Sequence, residues 1–209
     1  MTFDLMLITD ASLAAGLAER TRRALHGARP HRVALQLRCK QLTDRQLLPL
    51  ARELCELAHE YKAVFLVNGR PDIALLVGAD GVHLPQSGIS VADARALLRP
   101  AMQVGVSCHD EVSLSAAQSA GADYALLSPF ADSPGKGQAL GPMRFASLMK
   151  SLSMRVLALG GIDANNAAAA KQAGAAGVAV IRAVYDASEP GAALAELLRI
   201  LDTSPSLAR

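Results

Sequence analysis

Short apolar runs recur along the chain, each followed by a stretch in which apolar residues return every three or four positions. The runs are Leu5–Thr9, Val33–Leu37, Val64–Val67, Gly81–Leu84, Gln103–Ser107, Tyr124–Leu127, Arg155–Leu159 and Gly177–Ile181. Each is four or five residues long, rich in Val, Leu or Ile, and not cleanly alternating. Such continuity predicts parallel strands buried on both faces. The intervening stretches predict helices over Ser12–His26, Thr43–Tyr61, Arg70–Val77, Ser90–Leu98, Asp110–Ala120, Pro142–Ser151, Ala164–Ala173 and Glu189–Leu201. Ser12 is a candidate N-cap, and Ser90 with Asp93 has the spacing of a capping box. Pro49 lacks an N–H, which places the start of its helix near itself.

Eight strands alternating with eight helices predict an α/β fold. Right-handed crossovers repeated eight times close a (β/α)₈ barrel, expected here as a single domain over residues 1–209. The rival is an open doubly wound sheet. A weak internal echo favours closure: Gly78-Ala79, Gly121-Ala122 and Gly174-Ala175 each stand just before a strand. The last residues, from about 202, read as a frayed end.

Length and composition agree with one compact domain. The chain has 209 residues, near the short end for such a barrel, and its 51 % apolar and 19 % charged residues exclude disorder. A formal net charge of +2 with scattered basic residues argues against nucleic-acid binding. At 3 % aromatic residues and no Trp, a base-stacking or carbohydrate platform is not expected. Cys39, Cys55 and Cys108 are odd in number and lack a C-x-x-C pair, so neither a disulfide framework nor a zinc site is expected, and a reducing cytoplasm fits. No signal peptide and no membrane span are read from the sequence.

In such a barrel the chemistry lies where strands end. There the chain places Arg38-Cys39-Lys40, Asn68-Gly69-Arg70, Pro85-Gln86-Ser87, Ser107-Cys108-His109, a loop holding Ser133 and Lys136, Gly160-Gly161, and Ile181-Arg182. Cations and hydroxyls outnumber carboxylates, a composition suited to an anionic ligand. Gly160-Gly161 lets backbone N–H groups approach a phosphate, or is only a tight turn. Arg182 adds charge to that phosphate, or is solvated. Arg38 and Lys40, two apart, share one side of an extended segment and either hold an anion or stay solvated; Cys39 faces away and packs. Lys136 either closes over a ligand or is a charged loop tip. His109 is an acid/base candidate or a cap for the next helix. His83, inside a strand, is read as buried and satisfied.

Taken together and in order, several stretches resemble thiamine phosphate synthase and the TenI-type thiazole tautomerase. They are Gln36–Lys40, Leu66–Arg70, Val77–Leu84, Gly105–His109, Gly121–Tyr124, Ala158–Ile162 and Gly177–Ile181, covering about residues 5 to 185. Ala125–Pro129 and Ile181–Ala183 also resemble the synthase-like domain that follows a Nudix hydrolase in some bacterial fusion proteins. The family resemblance implies a barrel that handles a thiazole phosphate in thiamin biosynthesis. In the synthase a pyrimidine pyrophosphate loses pyrophosphate to leave a carbocation, the thiazole nitrogen attacks, and Mg²⁺ holds the leaving group. By the same resemblance, Arg38, Lys40, Asn68, Ser107 and Lys136 match pyrophosphate-contacting positions, and Ser133 a hydroxyl near the thiazole. Gly161, Ile181 and Arg182 match the cradle of the thiazole phosphate. Relatives imply a dimer or similar assembly.

Departures from the family pattern bear on the reaction. The two metal-ligand aspartates fall at Gly69 and in Gln86-Ser87-Gly88, so no metal ligand is assigned and Mg²⁺ is in doubt. A hydroxyl beside the loop lysine is Gly135. The tautomerase's histidine falls at Pro129, which makes His109 or Cys108 the substitute acid/base. The expected ligand is a small phosphorylated thiazole or thiamin precursor. The expected activity is a TenI-like or weak synthase reaction, with a non-catalytic sensor of thiazole phosphate or thiamin phosphate as the alternative. A barrel enzyme for another small phosphate ester rests on fold analogy alone.

Overall fold

The structure is a computed structural model and describes residues 2–9, 16–39 and 41–203. Eight strands, β1 (Leu5–Ile8), β2 (Val33–Leu37), β3 (Val64–Asn68), β4 (Gly81–Leu84), β5 (Gln103–Cys108), β6 (Tyr124–Leu127), β7 (Arg155–Leu159) and β8 (Gly177–Val180), pair in parallel and in sequence order. β8 returns to β1, closing the barrel. Helices α1 (Leu17–Leu25), α2 (Asp44–Glu60), α3 (Pro71–Val77), α4 (Val91–Leu97), α5 (Glu111–Ser119), α6 (Gly141–Met149), α7 (Ala167–Gln172), α8 (Arg182–Tyr185) and α9 (Pro190–Thr203) follow the strands in turn. The expected (β/α)₈ fold is therefore the observed one. Among the described residues no helix is long and apolar enough to cross a membrane.

Two expectations need correction, and one helix runs slightly further than expected. α2 does not wait for Pro49; it opens at Asp44, where Thr43 and Gln46 form a reciprocal capping box. That cap and the buried Leu47 fix the first turn, and the helix carries Pro49 inside it. Among the described residues a ninth helix, α8, interrupts the link between β8 and α9. Four residues are too few to show a hydrophobic period, but Tyr185 anchors them, its hydroxyl 2.9 Å from that of Thr21 on α1. The C-terminal helix runs on through Thr203, and Asp202 is an ion-pair partner of Arg29 and Arg32. The candidate N-cap Ser12 lies outside the described residues.

Two apolar cores result from the alternation of side chains along each strand. Outward-facing residues such as Leu35, Leu37, Val67, Leu84, Cys108 and Leu127 meet the helices in one continuous cluster. Inward-facing residues, among them Met6, Ile8, Val64, Leu66, Leu126 and Leu157, fill the barrel. Near the N-terminal end of the strands this filling ends in an aromatic and cationic plug. Phe3 and Tyr124 meet edge to face at 5.4 Å, and the Arg155 guanidinium lies 5.5 Å from the Phe3 ring centre and donates to the Phe3 carbonyl. Tyr124 can cross the barrel because residue 105 is glycine: a Cβ there would overlap the phenol ring.

Gly105→Ala is expected to cost about 1–3 kcal/mol, the usual range for overpacking a core. Urea denaturation measures it. A loss within about 0.5 kcal/mol, the range of an innocuous surface change, would mean that the ring steps aside at no cost.

Candidate functional site at the C-terminal mouth

Continuing each strand's inward alternation past its last residue brings a polar set to the mouth. A cavity of about 510 Å³ opens there, lined by Gln36, Arg38, Asn68, His83, Ser107, His109, Ser128, Ser133 and Lys136, with Ile8, Leu126 and Leu159 among the apolar walls. Gln86 and Ser87 form part of its rim. No carboxylate lines this cavity among the described residues. Arg38 and Lys136 therefore face it without a countercharge in its wall.

Backbone contacts hold these side chains in place. Thr9, fully buried, accepts a 2.8 Å bond from the Arg38 amide, tying the end of β2 to the end of β1. His109 sits with Nδ1 2.8 Å from the Ser128 carbonyl, to which it can only donate. The neutral imidazole then keeps its lone pair on Nε2. His83 is buried, as the sequence suggested, with Nε2 2.8 Å from the Ser107 hydroxyl and Nδ1 3.2 Å from that of Tyr124. Burial, with a smaller contribution from Arg38, pushes its pKa down to about 3.

The loop from Ser128 to Leu140, entered through a cis Ser128–Pro129 peptide, lies across the end of β7. Phe130 and Ala131 donate to the carbonyls of Leu159 and Gly160 at 2.8 and 2.9 Å. Buried Phe130 anchors the loop edge to face on Phe145. Gly160 and Gly161 make this crossing possible. Both have positive φ, and a Cβ on Gly161 would meet the Asp132 carbonyl oxygen at 2.5 Å and the Ala131 carbonyl at 2.8 Å. Their glycine identity is thus demanded by the loop itself. Asn166 adds a 2.7 Å bond from its amide to the Gly161 carbonyl.

A second cleft of about 350 Å³ adjoins the first, lined by Gly160, Gly161, Ile162, Asp163, Ile181, Arg182 and Ala183 with Asp132 and Ser133. The two clefts share Ser133, Leu159, Gly160 and Ile181 as wall. Asp163 is engaged in its own turn, accepting from the Asn165 amide at 2.8 Å.

Most of the candidate residues converge on this mouth. Arg38, Asn68, Ser107, His109, Ser133 and Lys136 face the larger cavity, and Gly160, Gly161, Ile181 and Arg182 the smaller cleft. Cys108 does not. It is fully buried in the outer core, and desolvation raises its pKa to about 11, so it reaches neither cleft and is not a thiolate at neutral pH. Lys40 lies outside the described residues. Thr9, Gln36, Ser128 and Asn166 were not singled out as site residues by sequence reasoning; they act through contacts distant in sequence, or through parity.

The donor set does not match the Mg²⁺ implied by the resemblance. Gly69 lines a separate small pocket and Gly88 the groove between α4 and α5, and the nearby oxygens on the cavity side belong to Asn68, Gln86 and Ser87. Among the described residues there is no group of three His, Cys, Asp or Glu able to hold a metal. Neutral oxygens without a carboxylate do not fit a resident Mg²⁺.

Fold and mouth together define a (β/α)₈ barrel with a cationic, two-lobed opening. Comparison with known proteins carries the assignment further, since the thiamine monophosphate synthase family profile matches residues 5–184. The chain belongs to that family. It is 41 % identical over 204 residues to a Geobacter sulfurreducens protein provisionally assigned as a thiamine-phosphate synthase, covering 95 % of this chain and 94 % of that one. It is 37 % identical over 200 residues to the thiamine-phosphate synthase of Chlorobium limicola, with 94 % and 93 % covered. The solved thiamine phosphate pyrophosphorylase of Pyrococcus furiosus superposes with a TM-score of 0.87 at 31 % identity, covering 96 % of both chains.

Two measurements follow from this geometry. His83 has a folded-state pKa of about 3 against an ordinary value of 6.5, so the unfolded chain takes up its proton first. Its contribution to stability is complete above pH 6.5 and is lost as pH falls toward 3, by up to about 1.4 kcal/mol per pH unit. His83→Gln should flatten that part of the stability profile in urea titrations. Gly161→Ala should lift the 128–140 loop, and faster tryptic cleavage after Lys136 than in the parent protein would show it.

Proposed function

We propose that the protein is a thiamine-phosphate synthase. It seats a thiazole phosphate in the glycine-lined cleft and a pyrimidine pyrophosphate in the larger cavity, and joins them with release of pyrophosphate. One observation carries this reading: the two clefts meet along a common wall formed by Ser133, Leu159, Gly160 and Ile181. A transferase must bring two phosphorylated molecules end to end; a tautomerase needs room for one. The resemblance, over more than nine-tenths of the chain, to proteins named thiamine-phosphate synthase and thiamine phosphate pyrophosphorylase supports the same reading.

The composition of the mouth suits this reaction. The bond from the pyrimidine methylene carbon to the pyrophosphate oxygen breaks, and its electron pair leaves with pyrophosphate. The thiazole nitrogen then gives its lone pair to the carbocation and becomes the cationic thiazolium nitrogen. No proton is transferred, so no general base is required. What the protein must supply is charge placed where the leaving group develops it, and Arg38 and Lys136 supply it in a cavity whose described wall holds no opposing carboxylate. Ser107, Asn68 and His109 complete the contacts to the pyrophosphate oxygens. Gly161, Ile181 and Arg182 hold the thiazole phosphate, and Ser133 stands at the junction. The leaving group's charge is met by protein cations rather than by a carboxylate-bound Mg²⁺.

A second reading has one observation in its favour. His109, with Nδ1–H donated to the Ser128 carbonyl, presents an unprotonated Nε2 and could shuttle a proton on a thiazole tautomer.

Incubation with both precursors should give thiamin phosphate and pyrophosphate. Arg38→Ala and Lys136→Ala should each lower kcat/KM about 100-fold, the scale of a lost charge-assisted contact to a developing anion. His109→Ala should cost less than about tenfold, because no proton moves through it. Failure to join the precursors, with thiazole isomerisation that disappears in His109→Ala, would establish the second reading instead. Calorimetric binding of thiazole phosphate without either turnover would leave a non-catalytic binder.

A further inference from the structure

We propose that His83, in the cavity wall, and Tyr124, behind it, are positioning residues that turn the Ser107 hydroxyl into a hydrogen-bond donor aimed at anionic oxygens of the ligand. The inference rests on the reading of the larger cavity as the pyrophosphate site.

Both groups are buried, His83 and Tyr124 each at 1 % exposure. Their rings stack at 5.7 Å and 29°, with the Tyr124 hydroxyl 3.2 Å from His83 Nδ1. On the other side of the imidazole, Nε2 lies 2.8 Å from Ser107 Oγ. Among the described residues, the Tyr124 hydroxyl has His83 as its sole hydrogen-bond partner. Desolvation raises the pKa of Tyr124 far above neutrality and lowers that of His83, so the phenol keeps its proton and the imidazole is neutral.

A neutral imidazole donates from one nitrogen and accepts at the other, which leaves two arrangements. In one, Ser107 donates to Nε2 and Nδ1–H donates to the phenol oxygen. The phenol proton is then buried with no acceptor, a costly state for a hydroxyl away from water. In the other, Tyr124 donates to Nδ1 and Nε2–H donates to Ser107 Oγ. Every buried polar hydrogen is then satisfied. The serine's own proton is left over, and its side chain lines the cavity. Hydrogen-bond satisfaction in the core thus selects a donor at the mouth. A donor hydroxyl favours phosphate oxygens over ligand groups that are themselves donors. Gly105 belongs to the same device, since its missing Cβ gives Tyr124 the space to reach His83.

The test begins with the ligand-free protein. Long-range ¹⁵N–¹H correlation spectra of the histidine side chains should show His83 as a single tautomer, protonated on Nε2, between about pH 6 and 8. An Nδ1-protonated tautomer overturns the proposal, with no variant needed. Titration with inorganic pyrophosphate then compares Ser107→Ala, Tyr124→Phe and the double variant. Each single change should weaken binding about three- to tenfold, and the double variant should be no weaker than Ser107→Ala alone. Weakened binding in Ser107→Ala with wild-type affinity in Tyr124→Phe rejects the relay while the pyrophosphate site stands. Absence of pyrophosphate binding in the wild-type protein rejects the site itself, and the tautomer measurement then decides the hydroxyl's direction by itself.

Discussion

The alternation of side chains along a closed parallel sheet is the constraint on which the molecule depends. A strand in this barrel is buried on both faces, so each residue has only two destinations, the barrel axis or the ring of helices. Registers between neighbouring strands align the inward positions into rows, such as Asn68 beside His83, His83 beside Gly105, and Gly105 beside Tyr124. The lower rows are filled mainly by Met6, Val64, Leu66 and Leu157, which cohere without polar partners. Where the strands run out at the C-terminal end, the same parity continues as Arg38, Ser107, His109 and Ser128. Apolar packing along the axis thereby sets the positions of charged groups that no packing force would gather.

That parity also separates what the sequence made legible from what it did not. The fold was readable because eight apolar runs and the stretches between them leave few alternatives, and the strand positions differ from expectation by a residue or so. Arg38, Asn68, Ser107, His109 and Lys136 could be picked out because polar residues just beyond strand ends are conspicuous. Cys108 was chosen for its chemistry while its neighbours Ser107 and His109 already claimed the inward direction; counting by two would have sent it to the helices. Thr9 bonds a residue 29 positions away and Gln36 is buried inside a strand, so their part in the mouth depends on register and closure. Pro49 misled because a strong cap ahead of it outweighs a single missing N–H.

The glycine pair after β7 shows how one local choice serves two demands. Gly160 and Gly161 admit the loop from β6 against the end of β7, and the same loop carries Ser133 to the junction of the clefts and Lys136 to the larger one. Rigid backbone bonds at the base of the loop and a turn closed from Lys136 to Ser133 near its tip divide it into a fixed part and an exposed part. Charge therefore reaches the cavity from two different supports: Arg38 at a strand end bonded to Thr9, and Lys136 on an exposed turn.

The plug made by Phe3, Tyr124 and Arg155 has a bearing on molecular traffic. With aromatic rings and a guanidinium closing the lower end and apolar side chains filling the axis above them, the described residues leave no passage along the barrel, and the C-terminal rim is the way into and out of both clefts.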